Sequence, residues 1–297
     1  MSEDRFQGER FDYMVTNPPF GVSWNSEKDF VQNESENPQG RFSVGTPRVS
    51  DGSLLFLQHM ISKMEDKGSR IGIVFNGSPL FTGDSGSGES EIRKWIIEND
   101  WLECIVSLPD QLFFNTGIST YVWIVSNKKS GKRQGKVQLI DGSSFFKLMK
   151  KSLGNKRKEI SDEGRDKLLG IFKNFEEDEF CKIYPNKFFG YTKVIIEQPT
   201  IENGNIVTDK QGNPKPDTKK RDYERIPLSE NIDEYFEREV KPHLPDSFMN
   251  DFENKVGYEI NFTKYFYKYK PLRSLEEISQ DLLKLDKETE GLMKEIL

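Results

Sequence analysis

The pattern of hydrophobic positions changes along the chain, and its first feature is an alternation near the start. Phe11, Tyr13 and Val15 are separated by single residues, a period of two that predicts a β-strand ending at Thr16. Short apolar runs bounded by polar or glycine-containing segments are typical of buried strands. Such runs predict four further strands, at Ile71–Phe75, Leu102–Leu108, Tyr121–Val125 and Val137–Ile140.

Helices are predicted between the first three strands. Leu54, Leu57, Ile61 and Met64 recur at spacings of three and four residues, the period of an amphipathic helix. Glu89–Asn99 forms a second helical pattern, and its early glutamates suit the positive end of a helix. Strands joined by helical crossovers lie parallel, so the pattern predicts an α/β fold. We expect a mostly parallel sheet with a hairpin at one edge.

The second half of the chain has a different character. Residues 143–180 are rich first in Lys and then in Glu and Asp, which predicts helix. Asn203-Gly204 favours a tight turn, so Val194–Gln198 and Asn205–Asp209 are predicted to form a hairpin. We therefore expect a first α/β domain over residues 1–142, a mixed, mainly helical region over 143–270 and a terminal helix over 271–297.

The terminal segment has the most regular periodicity. Its seam positions step by three and four residues through three heptads, at Leu275, Ile278, Leu282, Leu285, Thr289, Leu292 and Ile296. Such a stripe is typical of a coiled coil that docks on a partner helix. An amphipathic helix covered by the chain's own core explains the same pattern, because three heptads are close to the minimum for a coiled-coil assignment.

Composition excludes several classes of protein. Of the 297 residues, 34% are hydrophobic and 31% charged, and no stretch approaches the roughly 20 apolar residues of a membrane-spanning helix. The acidic, polar start argues against a secretory signal. Two widely separated cysteines, Cys104 and Cys181, argue against a disulfide framework, so we expect a cytoplasmic protein. With only His59 and His243 and no Cys/His cluster, the sequence predicts no metal site.

The formal net charge of −6 hides a strong asymmetry. Residues 128–158 contain eleven Lys and Arg residues against a single acid, Asp141, so this segment carries +10 and the remainder −16. Such a basic segment is typical of contact with a nucleic-acid backbone, and a solvated loop and helix face explains it equally well. The candidate contacts are Lys128, Lys129, Lys132, Arg133, Lys150, Lys151, Lys156, Arg157 and Lys158.

Asn17-Pro18-Pro19-Phe20 ends the first strand and has the residue types for methylating an exocyclic amine. The lone pair of such an amine is delocalised into its ring, and two hydrogen-bond acceptors would localise it on nitrogen. The side-chain oxygen of Asn17 can be one acceptor, and the Pro18 carbonyl, held by the following Pro19, the other. Phe20 offers a face for stacking, and a base in duplex DNA must be flipped out to reach it. The structural alternative is a simple strand-ending turn.

The motif and its surroundings resemble the modification subunit of type I restriction–modification systems. The resemblance lies in six segments: Phe11–Gly21, Leu54–Met60, Ile92–Trp95, Ile105–Pro109, Gly135–Asp141 and Pro271–Ile278. It implies a Rossmann-like methyltransferase that uses S-adenosylmethionine to methylate N6 of a flipped adenine in double-stranded DNA. The catalytic residues are then Asn17, Pro18, Pro19 and Phe20. The implied protein partners are a restriction subunit and a specificity subunit, which would dock on residues 275–297.

The chain departs from that family's pattern at its start. Members carry an N-terminal helical domain and then a glycine-bearing strand-turn for S-adenosylmethionine, and the 16 residues before Asn17 are too few for both. We therefore expect a C-terminal portion of the enzyme, inactive alone, with residues 1–142 as the end of the catalytic domain and the main cofactor-binding residues absent. Gly83–Gly88 comes after the catalytic strand, so it is predicted to be a flexible loop rather than a nucleotide site.

Two other functions fit the same residues. Related motifs methylate cytosine N4, guanine in ribosomal RNA or a protein glutamine amide, so another planar amine is an alternative substrate. A non-catalytic remnant whose C-terminal helix docks on a partner is the second alternative.

Overall fold

A mixed β-sheet organises the part of the chain that contains the Asn-Pro-Pro-Phe motif. The computed structural model describes residues 2–114, 116–269 and 272–296, and for residues 251–252 and 290–296 it describes the backbone alone. The strands are β1 (Tyr13–Thr16), β2 (Arg70–Asn76), β3 (Leu102–Ser107), β4 (Thr120–Ser126), β5 (Lys136–Asp141), β6 (Lys147–Leu153), β7 (Lys156–Glu159), β8 (Cys181–Pro185), β9 (Gly190–Glu197), β10 (Ile201–Glu202), β11 (Asn205–Ile206), β12 (Asp222–Pro227) and β13 (Phe248–Tyr258).

Helices connect and cover these strands. They are α1 (Lys28–Ser35), α2 (Ser53–Ser62), α3 (Ser78–Phe81), α4 (Gly88–Glu98), α5 (Asp162–Asn174), α6 (Ile232–Tyr235), α7 (Phe262–Phe266) and α8 (Leu275–Ile296). The two helices predicted in the first half are confirmed as α2 and α4. The side chain of Ser87 caps α4 by accepting from the Ser90 amide at 3.3 Å, and two glutamates follow in the first turn.

The first sheet has six strands in the order β1-β2-β4-β3-β5-β8. Four of them, β1, β2, β3 and β5, run in one direction, and β4 and β8 run in the other. The predicted α/β fold with mostly parallel strands is therefore confirmed. The predicted edge position of the β3–β4 hairpin is wrong, because β5 pairs with β3 in parallel and β8 extends the sheet beyond it.

Alternating burial along the central strands explains why this sheet forms. In β2, Ile71, Ile73 and Phe75 are fully buried and the residues between them are only partly exposed. The ring of Phe75 packs edge-on against Trp123 of β4, with 5.3 Å between centroids. Helix α2 packs on β2, and α5 packs on β5. A strand with a continuous apolar run has apolar side chains on both faces of the sheet, and both faces must therefore be covered.

Residues 143–180 are only partly helical, so that prediction is wrong over its first half. Strands β6 and β7 form an antiparallel hairpin, with Leu148 opposite Lys158, and helix is confined to α5. The hairpin turns at Gly154, whose φ of +59° interrupts any helix. Asn203 and Gly204, with φ of +51° and +80°, form the predicted turn, but the strands around it are only β10 and β11.

A second, three-stranded antiparallel sheet follows, in the order β12-β9-β13. The predicted strand Val194–Gln198 belongs to this sheet as the end of β9. Its apolar cluster comprises Val194, Ile196, Ile226, Phe236 and Val240. Residues 143–270 therefore contain more strand than helix, contrary to the expected mainly helical region, because β9 pairs with β12 on one side and with β13 on the other.

The chain divides into two units, Met1–Tyr265 and Phe266–Leu297, rather than after residue 142. The predicted terminal helix is confirmed as α8. Ser274 and Glu277 cap it reciprocally, at 3.1 and 3.2 Å. Pro271, Leu297 and the side chains of Leu292 and Ile296, which the prediction includes, lie outside the described residues. Within the described ranges no helix has the length and hydrophobicity needed to cross a membrane.

Candidate functional site

The Asn-Pro-Pro-Phe motif follows directly after β1, at the carboxyl end of this strand. Pro18 is buried, whereas Asn17 and Pro19 are exposed and Phe20 is partly buried. Gly21 then adopts a φ of +60°, the left-handed conformation that glycine favours, and ends the motif in a turn. The buried proline anchors the turn to the sheet and leaves the asparagine side chain accessible.

A cavity of about 900 Å³ opens at this edge of the sheet. Because β1, β2 and β3 run in the same direction, their carboxyl ends meet here, which is where ligands bind in open α/β sheets. The lining residues come from the motif, the end of β2 and the β3–β4 loop: Asn17, Pro18, Pro19, Phe20, Gly21, Asn76, Phe113, Phe114, Thr116 and Ile118.

The lining is mainly aromatic and apolar, with polar side chains from Asn17, Asn76 and Thr116, and the described lining residues include no ionisable side chain. The rings of Phe20 and Phe113 meet edge to face, with 6.0 Å between centroids and an angle of 89°. The side chain of Phe114 is 58% exposed beside them. An aromatic, uncharged cavity with an amide and a carbonyl at one end suits a flat, neutral ligand that carries an amine.

Sequence reasoning missed Phe113, Phe114 and Asn76. The two phenylalanines lie in the loop after β3, and the carboxyl end of β3 was predictable from the strand order. Asn76 ends β2, and its side-chain oxygen accepts from the Ser78 amide at 3.0 Å, so it also shapes the start of α3. Because β1, β2 and β3 run in the same direction, residues that follow their carboxyl ends meet at one place. This could have identified Asn76, Phe113 and Phe114 as neighbours of the motif.

Two of the predicted DNA contacts are buried in ion pairs. The Lys129 ammonium lies 2.6 Å from the Asp100 carboxylate and donates to the Lys136 carbonyl, and burial lowers the pKa of Lys129. Arg133 lies 3.5 Å from the buried carboxylate of Glu103. Both cations balance local acids, so the structure gives no support to phosphate contact by either side chain.

Three other lysines of the segment donate to protein atoms. Lys128 donates to the Lys67 carbonyl at 2.8 Å and Lys132 to the Lys173 carbonyl at 3.0 Å. The Lys158 ammonium pairs with the carboxylate of Asp110. These three ammonium groups hold the segment against the loop before β2, the end of α5 and the loop after β3.

The remaining predicted contacts lie on the β6–β7 hairpin, beside the cavity. Lys150, Lys151 and Arg157 are exposed and Lys156 is partly buried. The Asn155 amide, at the hairpin turn, donates to the carbonyl of Phe114 at 3.1 Å. The fold thus attaches the hairpin that carries these four basic residues to the loop that lines the cavity, whereas Lys129 and Arg133 are buried in ion pairs elsewhere.

The Gly83–Gly88 loop is held in place by the second sheet, contrary to the flexible loop expected. The Asp84 carboxylate pairs with Lys193 of β9 and lies 3.4 Å from Arg225 of β12. Burial alone would raise the pKa of Asp84, but the hydrogen bonds from Lys193 and the Ser85 amide and the charges of Lys193 and Arg225 lower it overall. With Ser87 capping α4, this loop is used for packing and does not fit a nucleotide.

Comparison with known proteins identifies the family. Residues 1–187 match the sequence model of the family described as N-6 DNA Methylase. Because this match spans more than half of the 297 residues, the chain belongs to that family. The resemblance to type I modification subunits, stated above from six segments, is confirmed by the names of similar proteins.

Two curated relatives and one solved structure illustrate the similarity. The Type I restriction enzyme MjaIX methylase subunit of Methanocaldococcus jannaschii is 28% identical over 213 residues, covering 69% of this chain and 35% of the relative. The HindI methylase subunit of Haemophilus influenzae is 36% identical over 133 residues, covering 45% of this chain and 28% of the relative. The crystal structure of the type I restriction-modification system methyltransferase subunit from Streptococcus thermophilus superposes with a TM-score of 0.52 and 26% identity, covering 64% of this chain and 37% of that chain. This chain therefore spans about a third of the length of the relatives it matches.

Proposed function

We propose that this chain binds the target base of an adenine-N6 DNA methyltransferase of the type I restriction–modification class. The observation that carries this proposal is the cavity of about 900 Å³ lined by Asn17, Pro18 and Phe20. Membership of the N-6 DNA Methylase family supports a nucleobase amine as the substrate.

The adenine amine would be held by the motif itself. The side-chain oxygen of Asn17 and the carbonyl of Pro18 each accept one N–H of the amine, which draws the lone pair out of conjugation with the ring. Phe20 stacks on the base, and Phe113, perpendicular to Phe20, packs on an edge. The target adenine must leave the duplex to occupy this cavity, at a cost in stacking and pairing.

S-adenosylmethionine supplies the methyl group in this class of reaction. The Gly83–Gly88 loop is rich in glycine and precedes a helix, but the contacts of Asp84 with Lys193 and Arg225 do not fit a nucleotide site. We therefore assign no residue of this chain to the body of the methyl donor.

Double-stranded DNA and two further subunits are the proposed partners. The exposed Lys150, Lys151 and Arg157, with the partly buried Lys156, can neutralise phosphates beside the cavity. The heptad residues of α8 are proposed to dock on a specificity subunit, which would select the DNA sequence. A restriction subunit would complete the system.

Substitution of Asn17 tests the proposal. The chain is assembled with the part of a methylase relative that lies outside the matched region, and methylated bases are quantified by mass spectrometry of digested DNA. We expect Asn17→Ala to lower the rate of adenine methylation by about a hundredfold, the loss typical of removing one preorganised hydrogen-bonding group.

Asn33→Ala is the matched control, because Asn33 is an exposed asparagine of α1 outside the cavity lining. It should leave the rate unchanged. Equal activity of the Asn17→Ala and wild-type enzymes would contradict the assigned role of Asn17. Formation of N4-methylcytosine in place of N6-methyladenine would instead identify a different amine as the substrate.

A further inference from the structure

The turn of the β6–β7 hairpin packs against the aromatic lining of the cavity. A side chain at Gly154 would place its Cβ 3.1 Å from the Phe114 carbonyl oxygen, and the neighbouring Asn155 amide donates to the same oxygen. With its φ of +59°, Gly154 allows both the tight turn and this close approach. The hairpin turn and Phe114 are therefore held together although some 40 residues separate them.

Strand β7 is attached to the same loop. The amides of Arg157 and Lys158 both donate to the Gln111 carbonyl, at 3.0 and 3.2 Å. The Lys158 ammonium pairs with Asp110 and lies 4.0 Å from the centre of the Phe146 ring. These backbone and side-chain contacts fix the hairpin relative to the cavity, so its turn occupies a defined place at the rim.

The hairpin combines charge with an apolar tip. Leu153, the last residue before the turn, is 52% exposed, and the next residue, Gly154, lies against the exposed Phe114. Lys150 and Lys151 precede this leucine in β6, Arg157 lies on β7, and all three are exposed. The cations complement the phosphates of DNA, and an exposed apolar side chain in the same element can act as a wedge that enters a base stack.

We propose that the β6–β7 hairpin enters the DNA at the target base pair and that Leu153 occupies the space left by the flipped adenine. Leu153 then stabilises the unstacked duplex, while Lys150, Lys151 and Arg157 hold the adjacent phosphates. This inference rests on the proposed function, because it requires a flipped base in the cavity lined by Asn17 and Phe20.

The experiment uses the assembled enzyme described above and duplex DNA with the fluorescent adenine analogue 2-aminopurine at the target position. Its fluorescence rises when the base leaves the stack. Leu153→Ser is compared with Leu148→Ser, a matched control in which the leucine is 72% exposed, lies five residues earlier and stands opposite Lys158 rather than next to the turn. We expect Leu153→Ser to weaken base flipping and kcat/KM by about tenfold, and Leu148→Ser to change neither.

Two further measurements separate a wedge from a simple DNA contact. Placing the target opposite an abasic site removes its pairing partner, and this DNA should restore the flipping and activity of Leu153→Ser. The salt dependence of DNA binding should be unchanged in Leu153→Ser. In the double variant Lys150→Gln and Lys151→Gln the slope should fall by about 2, since two phosphate contacts are lost.

Three results would overturn the inference. Equal flipping by Leu153→Ser and Leu148→Ser on paired DNA would remove the wedge. A defect of Leu153→Ser that persists on DNA with the abasic partner would assign Leu153 to the fold rather than to the DNA. A wild-type enzyme that neither methylates adenine nor raises the fluorescence would contradict the proposed function itself.

Discussion

At the scale of single residues, His59 makes a contact that depends on its protonation state. A guanidinium nitrogen of Arg41 lies 2.8 Å from Nδ1 of His59, and Glu34 holds the same guanidinium through two contacts of 2.6 Å. Arginine has only donors, so this hydrogen bond requires an unprotonated Nδ1. Burial, and then the charge of Arg41, lower the pKa of His59, although the charge of Asp4 opposes them.

The lowered pKa of His59 predicts an acid-sensitive stability. Between the ordinary pKa of 6.5 and the lowered native value, the unfolded chain binds more protons than the folded one. The free energy of unfolding should therefore fall as the pH drops below about 6.5, and level off once the native imidazole is also protonated. Urea unfolding at a series of pH values measures this loss.

His59→Gln is the appropriate comparison, because the glutamine oxygen can still accept from Arg41 and does not titrate. The difference in unfolding free energy between wild type and His59→Gln should shift in favour of the variant as the pH falls. A difference that stays constant from pH 7.5 to below the ordinary histidine range would mean that His59 does not cause the acid sensitivity.

Residues differ in how far the sequence reveals them. Asn17–Phe20 could be recognised because their chemistry lies in four consecutive positions. Phe113 and Phe114 reach the same cavity only through the pairing of β3 with β4, so their role depended on tertiary structure. In the basic segment, the sequence gives no reason to treat Lys129 and Arg157 differently as DNA contacts. Only the structure shows that Lys129 is buried beside Asp100, whereas Arg157 is exposed.

At the scale of elements, the β6–β7 hairpin marks where local patterns failed. Its lysines favour helix weakly, by fractions of a kcal/mol per residue, whereas the strand pairing and the contacts with Gln111 and Phe114 are made by the backbone. Those partners lie some 40 residues earlier and leave no local periodicity. Gly154 was the one visible sign, since glycine there interrupts a helix. Strands β2 to β5 were predictable because the apolar residues that they bury form short continuous runs in the sequence itself.

The heptad positions of helix α8 whose side chains are described are exposed to solvent. Leu275, Leu282 and Leu285 are all exposed, Leu282 by 62%, and the reciprocal cap of Ser274 and Glu277 fixes the start of the helix. Exposed leucines at regular a and d positions are the usual docking surface of a coiled coil. The proposed specificity subunit would cover this stripe.

A charge in the middle of that stripe should prevent docking. We expect Leu282→Asp, like deletion of residues 275–297, to abolish capture of a specificity subunit co-expressed from the same restriction–modification locus. Gln280→Asp adds the same charge at an f position, opposite the seam, and should retain capture. Circular dichroism of both variants checks that α8 persists. Capture by Leu282→Asp at the wild-type level would exclude the seam as the docking surface.

At the scale of the whole molecule, a buried arginine joins the two sheets. Arg93 of α4 is 1% exposed and donates to four backbone carbonyls, those of Tyr258, Pro79, Thr82 and Gly83, at 2.6, 3.1, 2.7 and 3.3 Å. Tyr258 ends β13 in the second sheet, whereas α4 leads into β3 of the first. Burial lowers the pKa of Arg93 to about 10, so the guanidinium remains charged at neutral pH.

Loss of this arginine should destabilise the second sheet in particular. Arg93→Met fills similar space and removes the cost of burying a charge, but it leaves several buried carbonyls without a donor, each at about 1–3 kcal/mol. We expect the free energy of unfolding to fall by about 3 kcal/mol in urea titrations of this chain at neutral pH. Arg165→Met is the control: this α5 arginine is exposed and pairs with the neighbouring Asp162 at 3.1 Å, so its loss should cost less than about 0.5 kcal/mol.

Hydrogen exchange locates the effect, because it reports the opening of each strand separately. If Arg93 joins the sheets, the amides of β9 should exchange faster in Arg93→Met, through an opening that leaves β2 protected. Equal acceleration in β9 and β2 would mean that Arg93 stabilises the fold as one cooperative unit. Equal stability of Arg93→Met and Arg165→Met would mean that the four carbonyls find other donors. Faster exchange in β9 with β2 still protected would mean that the second sheet unfolds locally on its own. In that case α4 is its main attachment to the sheet that carries Asn17–Phe20.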